Sequence, residues 1–110
     1  MENYSKVLRK IDKEMTAKGY AIDYVTDGEE RFYAKDHSKK DLYENALACD
    51  IGSMSYQDNA GNRVSFYLVY GNKDYETIAD AGWNSPKAEK DLDDIFEAVY
   101  KAYDPDYCPA

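Results

Sequence analysis

The stretch from Ile51 to Tyr70 constrains this chain more than any other part of it. Arg63–Tyr70 sets Val64, Phe66, Leu68 and Tyr70 on one side and Tyr67 and Val69 on the other, so it reads as a strand apolar on both faces. Before it, Ile51, Met54 and Tyr56 lead another strand into Asp58-Asn59-Ala60-Gly61-Asn62, a run dense in turn formers. Together they make an antiparallel hairpin. A strand apolar on both sides implies a central place in its sheet, with the second face partly covered. A chain of 110 residues has room for one such sheet and one core, so a single domain over residues 1–110 is expected.

The flanking segments supply the rest of the layer. Tyr4, Val7, Leu8, Ile11 and Met15 recur at helical spacing, with Arg9, Lys10, Asp12 and Lys13 between them. Asn3 or Ser5 is placed to cap this helix and Gly19 to stop it, which predicts a helix over 5–18. Tyr20, Ile22 and Tyr24 alternate as a strand, Asp27-Gly28 turns the chain, and Arg31–Lys35 returns. Ser38-Lys39-Lys40-Asp41 has the form of a capping box and opens a short helix to about residue 49. Beyond the central hairpin, Gly71–Asp74 turns, Tyr75–Ala79 reads as a fifth strand, and Ala81–Asn84 reads as a loop. Ser85 as N-cap with Pro86 at the first helical position starts the last helix. Its buried stripe is Leu92, Ile95, Phe96, Val99, Tyr100 and Tyr103, and Asp104-Pro105 ends it. The order α-β-β-α-β-β-β-α predicts an α+β domain: an antiparallel sheet of four to five strands with helices packed on one face.

Charge narrows the function. Twenty-two acids against 14 bases give −8, and the imbalance grows toward the C-terminus, where residues 89–106 carry seven acids and only Lys90 and Lys101. Such a field repels nucleic acid and anionic membranes and steers the protein toward basic surfaces. Direct DNA or RNA binding requires Lys and Arg to replace counterions at phosphates, and here the 14 bases are outnumbered by 22 acids, so such binding is not expected. No apolar run approaches the length of a membrane span. Residues 1–19 are charged throughout, so no secretory leader is expected. Cys49 and Cys108 then read as reduced thiols of a cytoplasmic protein, with a disulfide that pins the tail as the open alternative.

The inventory for chemistry is short. His37 is the only histidine, no two cysteines stand at zinc-ligand spacing, and the Asp58–Asn62 loop lacks the third-position ligand and distal glutamate of a calcium loop. No glycine-rich phosphate cradle occurs. Nucleophilic catalysis would have to pass through His37, in a Lys- and Asp-rich turn that reads as solvated. No metal, no cofactor and no catalytic residue is expected, and the chain does not read as an enzyme.

What remains is surface. On the last helix Glu89, Asp93 and Glu97 stand four residues apart, with Asp94 beside them. Successive members of such a row lie about 6 Å apart by helix rise, close to the roughly 7 Å between phosphates along one DNA strand. Asp104 and Asp106 extend the charge into a short acidic tail over 104–110. A row of this kind fits a groove built for nucleic acid, as a DNA mimic does. It also fits an ordinary solvated helix face balanced by Lys87, Lys90 and Lys101. Twelve tyrosines exceed what a core of this size buries with every hydroxyl paired, so several are expected at the surface. Trp83 and Tyr107, in loop and tail, would add rigid contact area of the kind protein interfaces use.

Tyr24–Glu30, Asp58–Val64, Leu68–Asn72 and Ile78–Asp80 together resemble small acidic proteins of phages and mobile elements, the anti-CRISPR or anti-restriction kind. The likeness spans about residues 20–80, made of turns and strands, and implies no particular functional residue. It implies a viral inhibitor that binds a nuclease or CRISPR effector complex in the host bacterial cytoplasm and blocks its DNA site. The partner-binding residues would be Glu89, Asp93, Asp94, Glu97, Trp83, Asp104, Asp106 and Tyr107. Two alternatives stay open: an immunity protein or antitoxin against a nuclease toxin, and a structural or adaptor module, such as a homodimer, self-associating through an exposed strand edge like Tyr20–Val25.

Overall fold

Three helices lie on one face of a five-stranded sheet, in the order helix α1 (Ser5–Ala17), strands β1 (Ala21–Thr26) and β2 (Arg31–Tyr33), helix α2 (Lys39–Ala46), strands β3 (Ile51–Gln57), β4 (Arg63–Val69) and β5 (Ile78–Trp83), and helix α3 (Pro86–Tyr103). The computed structural model describes residues 4–71, 73 and 76–104. All strand pairs are antiparallel, and the spatial order is β2-β1-β3-β4-β5. The expected α+β class and element order hold.

The core lies between sheet and helices. Val64, Phe66 and Leu68 of β4, Met54 and Tyr56 of β3, and Val25 of β1 point toward the helices. Against them pack Val7, Leu8, Ile11 and Met15 of α1, Leu42 and Ala46 of α2, and Leu92, Ile95 and Val99 of α3. Gly19, at φ +90°, ends α1 in the left-handed region that only glycine enters without strain. Gly52 answers a different need: a Cβ there would stand 2.3 Å from the Ala46 carbonyl oxygen, so the end of α2 can rest on β3 only over a glycine.

Several local expectations change. Tyr4, not Ser5, is the N-cap of α1, and Asn3 lies outside the described residues. The second strand stops at Tyr33, and a 3-10 turn over Ala34–Asp36 carries the chain away from the sheet. Helix α2 ends at Ala46, leaving Cys49 exposed beyond it. The fifth strand is shifted: Ala81–Trp83, expected as loop, pairs with β4 in the register Val64–Trp83, Ser65–Gly82 and Phe66–Ala81. The long, strongly β-forming β4 offers ladder positions as far as Val64, and the small Ala-Gly sequence opposes them without a clash. Tyr75, the expected start of that strand, lies outside the described residues. The Tyr20–Val25 segment is not an edge, because β3 returns to pair with it on the side away from β2.

One irregularity rearranges the surface. The β1–β3 register slips between Ile22 and Tyr24, so Asp23 is an extra residue. Ile22 faces the core opposite Tyr56, whereas Tyr24 pairs with Ser55 on the helix-free face. A bulge of one residue exchanges the faces of every side chain beyond it. The helix-free face of β4 is also barer than expected: Tyr67 is 50% exposed, and no helix covers it.

Under the helices sits one charged group. Asp12, expected among the solvated positions of α1, is 9% exposed and accepts hydrogen bonds from the hydroxyls of Tyr56 (2.9 Å) and Tyr43 (3.0 Å) and from the Lys39 ammonium. Burial first, then the Asp12 charge, pushes the Tyr43 hydroxyl up to about 12 and that of Tyr56 well above the free tyrosine value. Asp12→Ala strands the fully buried Tyr56 hydroxyl and is expected to cost about 3 kcal/mol in urea denaturation; Tyr56→Phe, which frees one acceptor lone pair, should cost about 1 kcal/mol. For both phenols the native state favours the protonated form. Stability is therefore intact below about pH 10, where unfolded tyrosine ionises, and is lost as pH rises toward the folded values. Absorbance near 295 nm should accordingly rise in two steps, exposed tyrosines first and the buried ones together with loss of far-ultraviolet ellipticity.

Candidate functional site

Helix α3 carries the acidic row, and its start is fastened to the central hairpin. The Ser85 hydroxyl accepts from the Ala88 N–H (3.1 Å) and donates to Asn62 Oδ1 (2.6 Å). Asn84 accepts from the Arg63 N–H (2.7 Å) and donates through Nδ2 to the Gly61 carbonyl (2.9 Å). Asp58 closes its own turn, accepting from the Ala60 and Asn62 N–H groups and from Asn62 Nδ2 at 2.8–3.0 Å. The Asn62 side-chain bond, with the backbone bonds, holds the Asp58 carboxyl below its ordinary value.

The rotation of α3 about its axis is set by a second polar cluster. Asp91, four residues after Lys87, accepts from Lys87 (2.8 Å) and from the Tyr20 hydroxyl (2.8 Å). The Lys87 ammonium also lies 5.0 Å from the Tyr20 ring centre and 3.8 Å from Asp58. Lys18, at the end of α1, donates to Asp94 at 2.8 Å. Asp91 and Asp94 therefore face α1. At about 100° per residue, Glu89 and Asp93 lie on the opposite flank, with Glu89 beside Trp83 of β5.

This divides the expected site residues. Glu89, Asp93 and Glu97 form an exposed row. Trp83 joins them: with Asn84, Ser85, Pro86 and Glu89 it lines a shallow depression of about 360 Å³ at the head of the row. Its indole is 50% exposed. Asp94, beside the row, is paired with Lys18, which lies 76 residues away in the chain and so has no local signal pointing to it. Lys87 does not balance the row, since its ammonium turns to Asp91 and Asp58. Among the described residues no ion pair involves Glu89 or Asp93. Asp104 is half-buried at the end of α3, its N–H donating to the Tyr100 carbonyl (2.8 Å). Asp106 and Tyr107 lie outside the described residues, as does Cys108.

The helix-free face of the sheet is the second exposed surface. Its middle is a hydroxyl ladder, Thr26 to Ser53 (2.7 Å) and Ser55 to Ser65 (3.1 Å), in which Ser55 is 2% exposed although no helix covers it. Larger side chains shield it: Arg63 bonds Asp23 (2.8 Å), Gln57 (2.8 Å) and Ser55 (3.3 Å), and Arg31 lies 4.5 Å over the Tyr24 ring. The polar groups of this face are thus largely engaged with one another.

His37 is half-buried against the edge of Phe32 (ring centres 5.7 Å apart), not freely solvated as expected. Among the described residues no three His, Cys, Asp or Glu side chains gather as a metal site, and no helix is long and apolar enough to cross a membrane. No family model, curated protein or solved structure matches the chain, so nothing there bears on the resemblance to anti-CRISPR or anti-restriction proteins.

The Asp91 cluster has a pH signature. Burial works against the carboxylate, but the bonds from Lys87 and Tyr20 and the charges of Lys87 and Lys18 outweigh it and leave the pKa below its ordinary value. A depressed carboxyl contributes stability at neutral pH and loses it as pH falls below about 4, the value in the unfolded chain, toward the folded one. The melting temperature should therefore fall between pH 5 and 3 (about those limits), and Asp91→Asn should lower it at pH 7 and flatten that fall.

Proposed function

We propose that the chain is a non-enzymatic inhibitor that docks on a basic, nucleic-acid-binding surface of a bacterial defence nuclease, in the manner of an anti-CRISPR or anti-restriction protein. The observation that carries this reading is the exposed row Glu89–Asp93–Glu97 with a half-exposed indole at its head. The row repeats at about 6 Å and has unneutralised carboxylates at Glu89 and Asp93 among the described residues. Charge aligned this way speeds encounter with a basic groove and sets orientation, while the indole supplies desolvated contact area. Of the cations that could have cancelled it, Lys18 and Lys87 are held on the other flank of the helix, and among the described residues neither Lys90 nor Lys101 forms an ion pair with Glu89 or Asp93. The protein would act in the bacterial cytoplasm, competing with nucleic acid and not binding it.

The test is retention of a purified CRISPR effector or restriction nuclease on the immobilised protein, at low and then high salt. Retention should be lost at high salt and on adding duplex DNA. The triple variant Glu89→Lys, Asp93→Lys, Glu97→Lys should weaken it more than about tenfold. Equal retention by the triple variant and the parent would overturn the electrostatic reading.

A further inference from the structure

The two edges of the sheet are built differently. β2 has three residues, carries Arg31, and gives way at once to the 3-10 turn bearing Lys35. Short length, basic side chains and an early departure are the usual protections of an edge against another strand. β5 has six residues, Ile78–Trp83, with no proline, lysine or arginine; its register against β4 slips at Ala79, and Asp80–Trp83 pairs regularly beyond the slip. Among the described residues it has a strand neighbour on one side only.

The orientation of its free backbone groups follows from one bond. The Ala81 N–H donates to its neighbour's carboxylate, Asp80 Oδ1, at 2.8 Å. It is therefore not spent on β4, and by the alternation of an antiparallel ladder the N–H and C=O of Ala81 and Trp83 face outward while those of Asp80 and Gly82 face Tyr67 and Ser65. The Asp80 carboxylate occupies the position that the carbonyl of an added strand would take.

Both faces beside this edge are acidic and aromatic. On the helix side lie Trp83, Glu89 and, one turn on, Asp93; on the open side lie Asp80 and the half-exposed Tyr67. A second copy of β5 would bring like charges together. An extended segment with lysine or arginine meets carboxylates whichever way its side chains alternate.

We propose that β5 is the docking edge for an extended, Lys/Arg-bearing segment of the protein partner, which adds to the sheet as a sixth strand and displaces Asp80 from the Ala81 N–H. Backbone hydrogen bonds hold the segment, and Trp83, Glu89 and Asp93 select its side chains. The inference rests on the reading of the partner surface as basic, and it goes further in stating how that surface is gripped.

Trp83 is the only tryptophan of the chain, so its emission reports this edge directly. The probe is an alternating Lys-Thr peptide long enough to span β5, with a second peptide N-methylated at alternate residues, which keeps its charge but cannot complete a ladder. The unmodified peptide should shift Trp83 emission, and N-methylation should weaken binding about tenfold, as expected for the loss of a few backbone hydrogen bonds. Ala81→Pro, with its fold verified by circular dichroism, should do the same. Equal binding of the two peptides overturns strand addition while leaving charge-driven docking standing, as does an emission shift on concentrating the protein alone, which would mean β5 pairs with itself. Binding of both peptides that survives Glu89→Lys with Asp93→Lys overturns the basic-partner reading as well.

Discussion

The buried carboxylate of Asp12 is the interaction on which the arrangement of helices depends. It joins three elements at one point: α1 contributes the charge, α2 the Tyr43 hydroxyl and Lys39, and β3 the Tyr56 hydroxyl. An ionised group so nearly removed from water is tolerable only when hydrogen bonds replace its hydration, and here three donors converge on two oxygens. The apolar contacts around it are non-directional and would accept small rotations of α1 about its axis. The carboxylate does not, because any rotation that takes it from the two phenols leaves the Tyr56 hydroxyl dry and unpaired. Gly52 completes the same junction by letting the end of α2 settle on β3, where the Tyr70 hydroxyl donates to the Ala46 carbonyl (2.6 Å).

A second cluster transmits that placement to α3. With α1 fixed, Lys18 at its end meets Asp94, and Tyr20, the residue after the helix stop, meets Asp91. Helix α3 is held from its other end by Ser85 and Asn84, which are bonded to the hairpin between β3 and β4. These contacts decide which acids of α3 remain outside. Asp91 and Asp94 are consumed by the fold, and Glu89 and Asp93 are left to solvent. The charge left exposed on α3 is thus what remains after the fold has used Asp91 and Asp94, not a uniform property of an acidic helix.

Much of this was legible in the sequence, and the failures share one cause. The caps at Ser38 and Ser85, the stop at Gly19, and the central strand with Val64, Phe66 and Leu68 inward all depend on neighbours within a turn or a ladder, and they are found as expected. So is the exposed row on α3. Asp12 was read as solvated because aspartate is polar, although positions 7, 8, 11, 12 and 15 form one continuous stripe that could have exposed the exception. Asp23 could not be read as a bulge, since the alternation of Tyr20, Ile22 and Tyr24 is unbroken in the sequence and only the pairing with β3 breaks it. The second half of β5, Ala81–Trp83, is hidden for a related reason. Ala81-Gly82 has poor intrinsic preference for a strand, and the ladder offered by β4 overrides that preference.

That override matters for what the edge can do. A strand recruited by its neighbour, with small side chains and no β-branched residue beyond Ile78, contributes little packing of its own. A bulky or basic sequence there would have closed the edge, as Arg31 and Lys35 do at the opposite one. The register with β4 slips once, at Ala79, and two side chains interrupt the edge beyond it. One is the Asp80 carboxylate folded onto the Ala81 N–H, and the other is Trp83, whose large apolar surface remains half in water at the point where the acidic row begins. In the proposed strand addition, Asp80 would discourage pairing with an acidic copy of the same chain and favour a basic strand, so one side chain would serve both as the guard of the edge and as part of its selectivity.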